Sequence, residues 1–407
     1  MGFWERPRDV WLRRALFQVH LWCGLTLGLY FVVVCLTGTI VVYKKELERL
    51  AIPELVHVQA TGPRGSFSEM VRLVNERYPG QRLVNAYLYQ EPGVSWSFRL
   101  QGDRGRVQVY VDPYRLRILG HDTYENKFLQ WVYDLHTDLL LGPTGLLLNG
   151  WGAYLLVVMC LSGIVVWWPG RHLWRRGFQY ASAARWKGKT YDIHRLTGVA
   201  SLALLIFIAI TGAYWSFTPQ YESTIAWLTG GPSRRLAPRV VSPADVPPAN
   251  LDVILAAAMR TMPEGDARLF TFSSRPELPH SLHKALPDDW RTQGDNVVYI
   301  HPQTAEIVRV DYHRDLSLGV RLQRDMFGLH FGTFWGHPTR VVWLLVGVAP
   351  LVLFVSGLLI WWNRTVTKVL RRRRAMVVSA AQDAPRTNVA AASSLQAQGP
   401  TALRHRP

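Results

Sequence analysis

The chain has 407 residues, a formal net charge of +17 and 49% hydrophobic residues, and it contains 17 tryptophans. This length allows two or three domains, and such an apolar composition is unusual for a soluble protein. The three cysteines are too few for the four thiolates of a common iron–sulfur cluster, and they do not predict a disulfide framework. The composition therefore directs attention to membrane proteins.

Four apolar segments approach or exceed the roughly 20 residues that a helix needs to cross the hydrocarbon of a bilayer. These segments are Leu16 to Tyr43, Leu146 to Trp168, Leu196 to Phe217 and Val341 to Trp362. We therefore predict four transmembrane helices. The first segment is too long for the core of a signal peptide and lacks a convincing cleavage site, so we expect it to be retained as an anchor.

Basic residues cluster before the first span, between the second and third spans, and after the fourth span. Because cytoplasmic flanks of membrane helices are enriched in lysine and arginine, we predict that these segments and both termini face the cytoplasm. The charge then favours a lipid membrane as partner and not nucleic acid. The clusters comprise Arg6, Arg8, Arg13, Arg14, Arg171, Arg175, Arg176, Arg185, Lys187, Lys189, Lys368 and Arg371 to Arg374.

Two long polar segments, between the first and second spans and between the third and fourth, should then lie outside the cytoplasm. Each contains a candidate amphipathic helix, Phe67 to Tyr78 with Ser66 or Ser68 as its cap, and Asp252 to Met262. A β-hairpin around a proline turn follows each helix. The hairpins run through Val107 to Pro113 and Ile118, and through Asn296 to Pro302 and Ile307. We predict a small α+β module in each segment.

The order of helix, external module and helix occurs twice, and both copies start and end in the cytoplasm. We therefore predict a membrane protein of four transmembrane α-helices, built as two parallel tandem repeats with two external α+β modules. The boundaries are a cytoplasmic N-terminus (1–15), first span (16–45), first module (46–127), interfacial helix with second span (128–168), basic cytoplasmic loop (169–190), third span (191–218), second module (219–325), interfacial segment with fourth span (326–363) and a largely disordered cytoplasmic tail (364–407).

Histidines stand at matching positions in the two halves. His20 precedes Gly24 by four residues and Gly38 by eighteen, and the same intervals separate a second histidine from its glycines. That second set is His194, Gly198 and Gly212. A second pair of histidines also stands at matching positions. Each of these histidines precedes one glycine by six residues and another by 27. These sets are His136, Gly142 and Gly163, and His330, Gly336 and Gly357.

Depth in the membrane decides which histidines can meet. Eighteen residues of helix rise about 27 Å, so His20 lies near the cytoplasmic boundary and Gly38 near the outer one. His194 occupies the equivalent depth. His136 and His330 precede the second and fourth spans, and glycine–proline pairs after them should bend the path and keep them near the outer boundary. We expect one histidine pair at each face of the membrane.

Two imidazoles from facing helices are the usual axial ligands of a b-type haem in a helix bundle, and neutral imidazole binds iron well. Gly24 and Gly28 share one face with His20, where a flat macrocycle can lie against the backbone, and Gly198 matches Gly24. The pattern therefore predicts two haems b, with His20, His194, His136 and His330 as iron ligands. Zinc would need further ligands at the same depth. The alternative is that each histidine only bonds a neighbouring helix.

Other polar residues have weaker indications. Arg14, Arg195 and Arg340 lie near the expected depth of the cofactor and can pair with its carboxylates or serve as interfacial anchors, the second being favoured. His337 has no counterpart in the first half, so we expect it beside the site or facing a substrate. His280 and His283 have weak metal-ligand spacing, and we expect both to be surface-exposed.

These features resemble the PepSY-associated transmembrane family and, within it, inner-membrane ferric-siderophore reductases of the FoxB type. The resemblance covers about residues 10 to 370. It is carried by His20…Gly24…Leu36-Thr-Gly38, His194…Gly198…Ile210-Thr-Gly212, Leu135-His136, Leu329-His330, Ser162-Gly163…Trp167-Trp168-Pro169, Ser356-Gly357…Trp361-Trp362, Tyr110-Val-Asp-Pro113 and Tyr299-Ile-His-Pro302. The second module has His301 where the first has Asp112, which puts any role of the acidic position in doubt there.

The resemblance implies an oxidoreductase of the bacterial inner membrane with haem b and two PepSY-like periplasmic modules. It would pass electrons outward from an unknown cytoplasmic or membrane donor to a periplasmic ferric siderophore, with no protein acid, base or nucleophile in catalysis. Two other hypotheses stay open. The chain can be a haem protein that serves another periplasmic acceptor, or a non-enzymatic anchor whose modules bind a partner. A transporter is a further option, although the spans lack buried carboxylates.

Overall fold

The computed structural model describes residues 10–102, 105–123, 128–182, 185–287, 289, 294–370 and 375–376. Within these ranges, four long apolar helices form a bundle, and the segments that connect them contribute an eight-stranded antiparallel sheet. The expectations for the first nine residues, and for nearly all of the tail after residue 370, fall outside the described residues.

The four long helices are α1 (Trp11–Val42), α6 (Gly142–Trp167), α7 (Trp186–Ala213) and α11 (His337–Arg364). Each is long and apolar enough to cross a membrane, as the sequence predicts. α1 and α7 both pack against α6 and α11, so the helices close into a four-membered ring. We call the end of the bundle that leads into the sheet the sheet side, and the opposite end, flanked by arginine and lysine, the basic side.

The shorter helices connect the bundle to the sheet. They are α2 (Lys44–Ala51), α3 (Pro53–Val56), α4 (Phe67–Arg77), α5 (Phe128–Asp138), α8 (Thr218–Thr229), α9 (Leu251–Thr261) and α10 (Leu318–Phe331), with 3₁₀ turns at Trp174–Phe178 and His313–Asp315. Both α5 and α10 end in a sharp break before the long helix that follows. The backbone there is left-handed, with φ of 59° at Gly142 and 65° at Gly332. These breaks bend the path as expected and let α5 fold back onto α1 and α6, and α10 onto α7 and α8.

The sheet differs from the two separate modules that the sequence predicts. Its strands are β1 (Arg82–Tyr87), β2 (Trp96–Gly102), β3 (Gly105–Asp112), β4 (Arg117–Thr123), β5 (Asp266–Thr271), β6 (His280–Ala285), β7 (Asn296–Ile300) and β8 (Ile307–Asp311). The two predicted hairpins are β3–β4 and β7–β8. Each segment adds two more strands, and all eight form one sheet in the order β4-β3-β2-β1-β5-β6-β7-β8.

The two segments join where β1 pairs with β5, with Ala86 opposite Phe270. One hydrophobic core continues across the joint and includes Phe67, Phe98, Phe270 and Leu282, all at most 1% exposed. If the two four-stranded units were separate, β1 and β5 would each be an edge strand with unpaired backbone groups. Pairing β1 with β5 removes both of these edges. The sheet thereby holds the two halves of the chain at a fixed distance.

The helices that cover the sheet meet at their N-termini. Ser66 caps α4 by accepting a hydrogen bond from Glu69 N at 3.1 Å, which identifies which of the two candidate serines starts this helix. Asp252, in the first turn of α9, accepts from Ser66 Oγ and Phe67 N, both at 2.6 Å. A carboxylate there is favoured by the positive ends of both helices.

The turns after β3 and β7 show what Asp112 and His301 do at their matching positions. Asp112 Oδ1 accepts hydrogen bonds from the backbone N–H of Tyr114 and Arg115 at 3.0 and 3.2 Å. His301 Nδ1 accepts from the matching N–H groups of Gln303 and Thr304 at 3.1 and 3.3 Å. The imidazole therefore replaces the carboxylate as the acceptor that closes the turn, and the role at this position is structural in both segments.

The prediction that His280 and His283 are surface-exposed is wrong. Their strand, β6, is an interior strand of the sheet, paired with β5 on one edge and β7 on the other. His280 is 9% exposed, lies beside the rings of Phe270 and Phe272, and accepts a hydrogen bond from Ser273 N at 2.8 Å. Burial lowers the pKa of both histidines to about 4. The sequence missed this because strands of the joined sheet cannot be recognised from either segment alone.

Candidate functional site

The helical bundle encloses two cavities, one above the other along its axis. The sheet-side cavity has a volume of about 580 Å³ and is bordered by His136 and His330. The basic-side cavity has a volume of about 530 Å³ and is bordered by His20 and His194. Both volumes fall within the range of roughly 300–1,000 Å³ that is usual for small-molecule and cofactor sites. Each cavity is large enough to hold an organic cofactor.

The structure brings together the same two histidine pairs that the sequence groups by depth. His20 on α1 and His194 on α7 have ring centroids 6.3 Å apart, and their planes are perpendicular at 90°. His136 on α5 and His330 on α10 have centroids 6.2 Å apart and planes inclined by 29°. Equal spacing at two separate sites, reached by different helices, indicates a common requirement for the gap between the rings.

On the basic side, neighbouring helices fix the protonated ring nitrogen of each histidine. His20 Nδ1 lies 3.2 Å from Met159 O and 3.1 Å from Ser162 Oγ on α6. His194 Nδ1 makes the same contacts on α11, with Leu353 O and Ser356 Oγ, both at 3.0 Å. A carbonyl oxygen only accepts, so Nδ1 carries the proton in each ring. Nε2 is thereby left with a lone pair that can bind a metal.

In the sheet-side pair, too, the Nδ1 atom of each histidine contacts a neighbouring helix. His136 Nδ1 donates to Val34 O at 2.9 Å, and His330 Nδ1 lies 3.2 Å from Thr211 Oγ1. Burial lowers the pKa of His136, and burial together with the neighbouring His136 lowers the pKa of His330 to about 3. Both rings are therefore neutral at physiological pH, which is the form that coordinates metal ions.

Each histidine ring is seated on a glycine of a neighbouring helix. A Cβ added to Gly38 or Gly212 would lie 2.8 Å from Cε1 of His136 or His330, respectively. A Cβ at Gly163 or Gly357 would lie 3.1 or 3.2 Å from Cε1 of His20 or His194. These contacts explain why the four glycines keep constant intervals from the histidines, since any side chain there would displace a ring.

Gly24 and Gly198 line the basic-side cavity as the sequence suggests. A Cβ at either position would meet only one methyl group at ordinary contact distance, Met159 Cε at 3.5 Å or Leu353 Cδ2 at 3.6 Å. Gly28 differs, because the ring of Phe354 on α11 packs directly against it. Gly28 therefore serves close packing between α1 and α11 as well as bordering the cavity.

Two residues that the sequence patterns do not reveal have side chains that bond the backbone carbonyl groups of the sheet-side histidines. Asn149 Nδ2 donates to His136 O at 2.6 Å, and Trp343 Nε1 donates to His330 O at 2.8 Å. Both carbonyls lie in the last turn of a helix, where they lack a partner within the helix. Each donor follows its histidine by thirteen residues, but the two side chains differ in type, so comparing the two halves by residue identity does not reveal them.

The cavities are separated by a thin apolar wall. Phe31, Leu156 and Leu205 line both of them. Phe31 on α1 and Leu205 on α7 are 5% and 4% exposed. The histidine pairs lie about 27 Å apart along the bundle, as measured by the rise of α1 between His20 and Gly38, so groups filling both cavities would approach each other across these side chains.

The arginines considered as carboxylate partners have different surroundings. Arg340 is paired with Glu46 at 2.5 Å and lies over the ring of Tyr43 at 4.0 Å, and it does not border either cavity. Its neighbour His337 also stacks on Tyr43, with centroids 6.4 Å apart, outside the cavities. Arg14 is exposed on α1. Arg195 alone of the three candidates lines a cavity, the one on the basic side.

The two pairs fit a metal that brings most of its own ligands. Among the described residues, no group of three or more histidine, cysteine, aspartate or glutamate side chains is placed to hold a metal ion. A histidine nitrogen lies about 2 Å from a bound metal and its ring centre roughly 1 Å further back, so one metal between two rings sets their centroids about 6 Å apart. The observed spacing, the free Nε2 atoms and the cavities suit a haem, whose porphyrin supplies four nitrogens.

A family model described as the PepSY-associated TM region matches residues 17–364, which include the sheet, three of the four long helices in full, and α1 from residue 17 onward. No curated protein matches the chain.

Proposed function

The chain belongs to the PepSY-associated TM region family, and from its two histidine pairs we propose that it is a di-haem b-type reductase of the bacterial inner membrane. In this proposal it passes electrons across the membrane and reduces a periplasmic ferric siderophore, releasing Fe(II). The observation that carries the proposal is the pairing of four imidazoles at 6.3 and 6.2 Å, each pair beside a cavity of suitable volume.

The residues have distinct roles in this function. His20 and His194 hold one haem, His136 and His330 hold the other, and Gly24 and Gly198 give the porphyrin access to the helix backbone. When bound, haem supplies one-electron redox chemistry that protein side chains lack. The apolar wall around Phe31 keeps water and ions from crossing between the two sites.

The charge distribution supports an assignment of the two sides. In this proposal the basic side faces the cytoplasm, as the positive-inside rule favours, and the sheet and the sheet-side cavity lie in the periplasm. The two halves are then parallel tandem repeats, and the sheet is formed by two PepSY-like modules. An unidentified cytoplasmic or membrane donor delivers electrons on the basic side, and the acceptor takes them on the sheet side.

The proposed substrate is the one that the family resemblance implies, and its coordination chemistry suits one-electron reduction. Siderophores hold Fe(III) through hard oxygen donors and hold the softer Fe(II) much less tightly. One electron added to Fe(III) gives Fe(II), and no covalent bond to the protein forms or breaks. Reduction is therefore also the release step, and no acid, base or nucleophile of the protein takes part.

Optical spectroscopy of the purified full-length protein tests the proposal. We expect two haems b per chain, with reducible Soret and α bands, and anaerobic stopped-flow mixing with a panel of ferric chelates should reoxidise the reduced protein. His337→Ala is the matched control, because this histidine lies on the same helix bundle but outside both cavities, and it should keep both haems.

The outcomes separate the competing functions. A protein without haem bands would refute the reductase and favour the anchor whose sheet binds a partner. Haem that is reduced normally but is not reoxidised by any ferric chelate would favour electron transfer to another periplasmic acceptor.

A further inference from the structure

The two cavities differ in charge at their rims. Arg195 on α7 and Arg364 at the end of α11 line the basic-side cavity. Among the described residues that line the sheet-side cavity there is no arginine or lysine. The positive charge is thus concentrated at one of two otherwise similar sites, and on the side of the bundle where α7 begins and α11 ends.

Arg195 is held in place by its neighbours. Its Nη2 atom lies 2.8 Å from Asp192 Oδ1, and the same nitrogen donates to Gln179 O. Asp192 is 7% exposed and also accepts a hydrogen bond from Ala181 N at 3.0 Å, so it is itself fixed. Arg195 Nε is buried and has no hydrogen-bond partner among the described residues. The guanidinium is therefore positioned beside the cavity with part of its bonding capacity unused.

Arg364 adds to the rim from the neighbouring helix α11. It follows Gly357, the seat of His194, by seven residues, or two helical turns and about 10 Å toward the basic side. Its guanidinium is exposed, and Thr365 beside it also borders the cavity, as does Tyr191 one turn before Arg195. Cations and hydroxyl groups thus surround the mouth of the cavity, whereas its interior is apolar.

We propose that Arg195 and Arg364 bind the carboxylate groups of the cofactor in the basic-side cavity, so that its charged edge points to the basic side. This inference rests on the proposed function and adds the orientation and charge partners of one haem. A guanidinium fork matches a carboxylate, and a carboxylate near hydrocarbon needs such a partner because burial of an unpaired charge is costly. The described residues that line the sheet-side cavity include no such partner.

Two positive charges beside a redox centre stabilise the form that has gained an electron. Removing them should lower the reduction potential of the basic-side haem and leave the sheet-side haem unchanged. The expected effect is thus a shift in one of two components, which a general loss of stability would not produce.

The experiment is a potentiometric titration of the full-length protein, followed by absorbance and resonance Raman spectra. Arg195→Leu, Arg364→Leu and their combination should lower one of the two midpoint potentials stepwise and shift the haem carboxylate bands, with two haems retained. Arg195→Lys, which keeps the charge, should restore most of the potential. Arg175→Leu is the control, since this arginine lies on the basic side but does not line a cavity.

Assignment of the shifted component comes from the His136→Ala/His330→Ala protein, which should keep only the basic-side haem. Unchanged potentials and unchanged carboxylate bands in the Arg195→Leu/Arg364→Leu protein would overturn the inference while leaving the reductase proposal intact. A shift confined to the sheet-side component would also overturn it. Absence of haem from the unaltered protein would instead refute the proposed function itself.

Discussion

The basic-side and sheet-side cavities share one local design but are built on different supports. In both, two imidazoles stand about 6 Å apart, each with Nδ1 bonded and each seated on a glycine. The basic-side histidines belong to the long helices α1 and α7 themselves. The sheet-side histidines belong to the short helices α5 and α10, which fold back onto the bundle after leaving the sheet.

The spacing between the two rings is the same at both sites, but it has a different structural cause at each. On the basic side the gap is set by packing in the ring of four helices, since α6 and α11 supply the seats for both rings. On the sheet side it also depends on where the sheet places α5 and α10, and on the bonds from Asn149 and Trp343 to the ends of those helices. The sheet-side site is therefore coupled directly to the sheet, whereas the basic-side site is positioned by the four long helices.

The largest expected effect comes from removing one histidine pair at a time. His20→Ala/His194→Ala should lose one of two haems and keep the sheet-side spectrum, and His136→Ala/His330→Ala should do the reverse. Haem content by pyridine haemochrome and the optical spectrum of each protein check this. If either double variant loses both haems or neither, the two cavities are not independent sites and the ligand assignment is wrong.

A smaller effect should follow from filling the glycine seats. Gly38→Ala or Gly212→Ala places a methyl group 2.8 Å from a sheet-side histidine ring. Forcing such a contact costs about 1–3 kcal/mol, or roughly 5- to 150-fold in haem affinity. Haem transfer to a competing apoprotein measures it, and only the sheet-side component should weaken.

The matched control for the seats is Gly24→Ala or Gly198→Ala on the basic side. The protein accepts these methyl groups at ordinary distances of 3.5 and 3.6 Å. Any loss of basic-side haem in these variants therefore reports contact with the cofactor and not with the protein. Equal weakening of both haems by Gly38→Ala would contradict the assignment of that glycine to a single site.

Removing the side-chain donors of Asn149 and Trp343 should have a still smaller effect, confined to the sheet side. Asn149→Leu or Trp343→Phe removes the donor to His136 O or His330 O, and a hydrogen bond of this kind contributes about 0.5–1.5 kcal/mol. We expect faster haem loss from the sheet-side cavity and higher amide hydrogen exchange in α5 or α10. Tyr30→Phe separates the effects, since Tyr30 Oη donates to the side-chain Oδ1 of Asn149, at 2.6 Å, and not to a histidine carbonyl.

An unchanged rate of sheet-side haem loss in both donor variants would mean that the sheet alone positions α5 and α10. Faster loss from the basic-side cavity would mean that the two supports are not separate.

Much of the bundle could be predicted from the sequence, because each span is long and uniformly apolar. The pairing of His20 with His194, and of His136 with His330, also follows from counting residues along helices. The role of the four histidines as haem ligands stays a prediction. The glycine seats were visible as constant intervals, but only the contacts show that each supports a ring on another helix.

The joined sheet could not be predicted, for physical reasons that are evident in its strands. β1 has a bulge between Leu83 and Asn85, and β6 alternates polar and apolar residues weakly, so neither has a strong strand pattern. Their conformation comes from pairing with distant strands. The same long-range pairing buries His280, and the different residue types of Asn149 and Trp343 hide a shared function.

The smallest expected effect tests how closely the two basic-side histidines resemble each other. Ser162→Ala and Ser356→Ala each remove one of two acceptors from Nδ1, while Met159 O and Leu353 O remain bonded to His20 and His194. Since the proton stays on Nδ1, Nε2 stays available, and the change in haem affinity should be only about twofold. A weaker bond to Nδ1 makes the ligand less basic, so the basic-side midpoint potential should rise slightly. Equal shifts in the two variants would support equivalent ligands at this site. A large shift from one serine alone would show that the perpendicular rings, although equally spaced, are not equally supported.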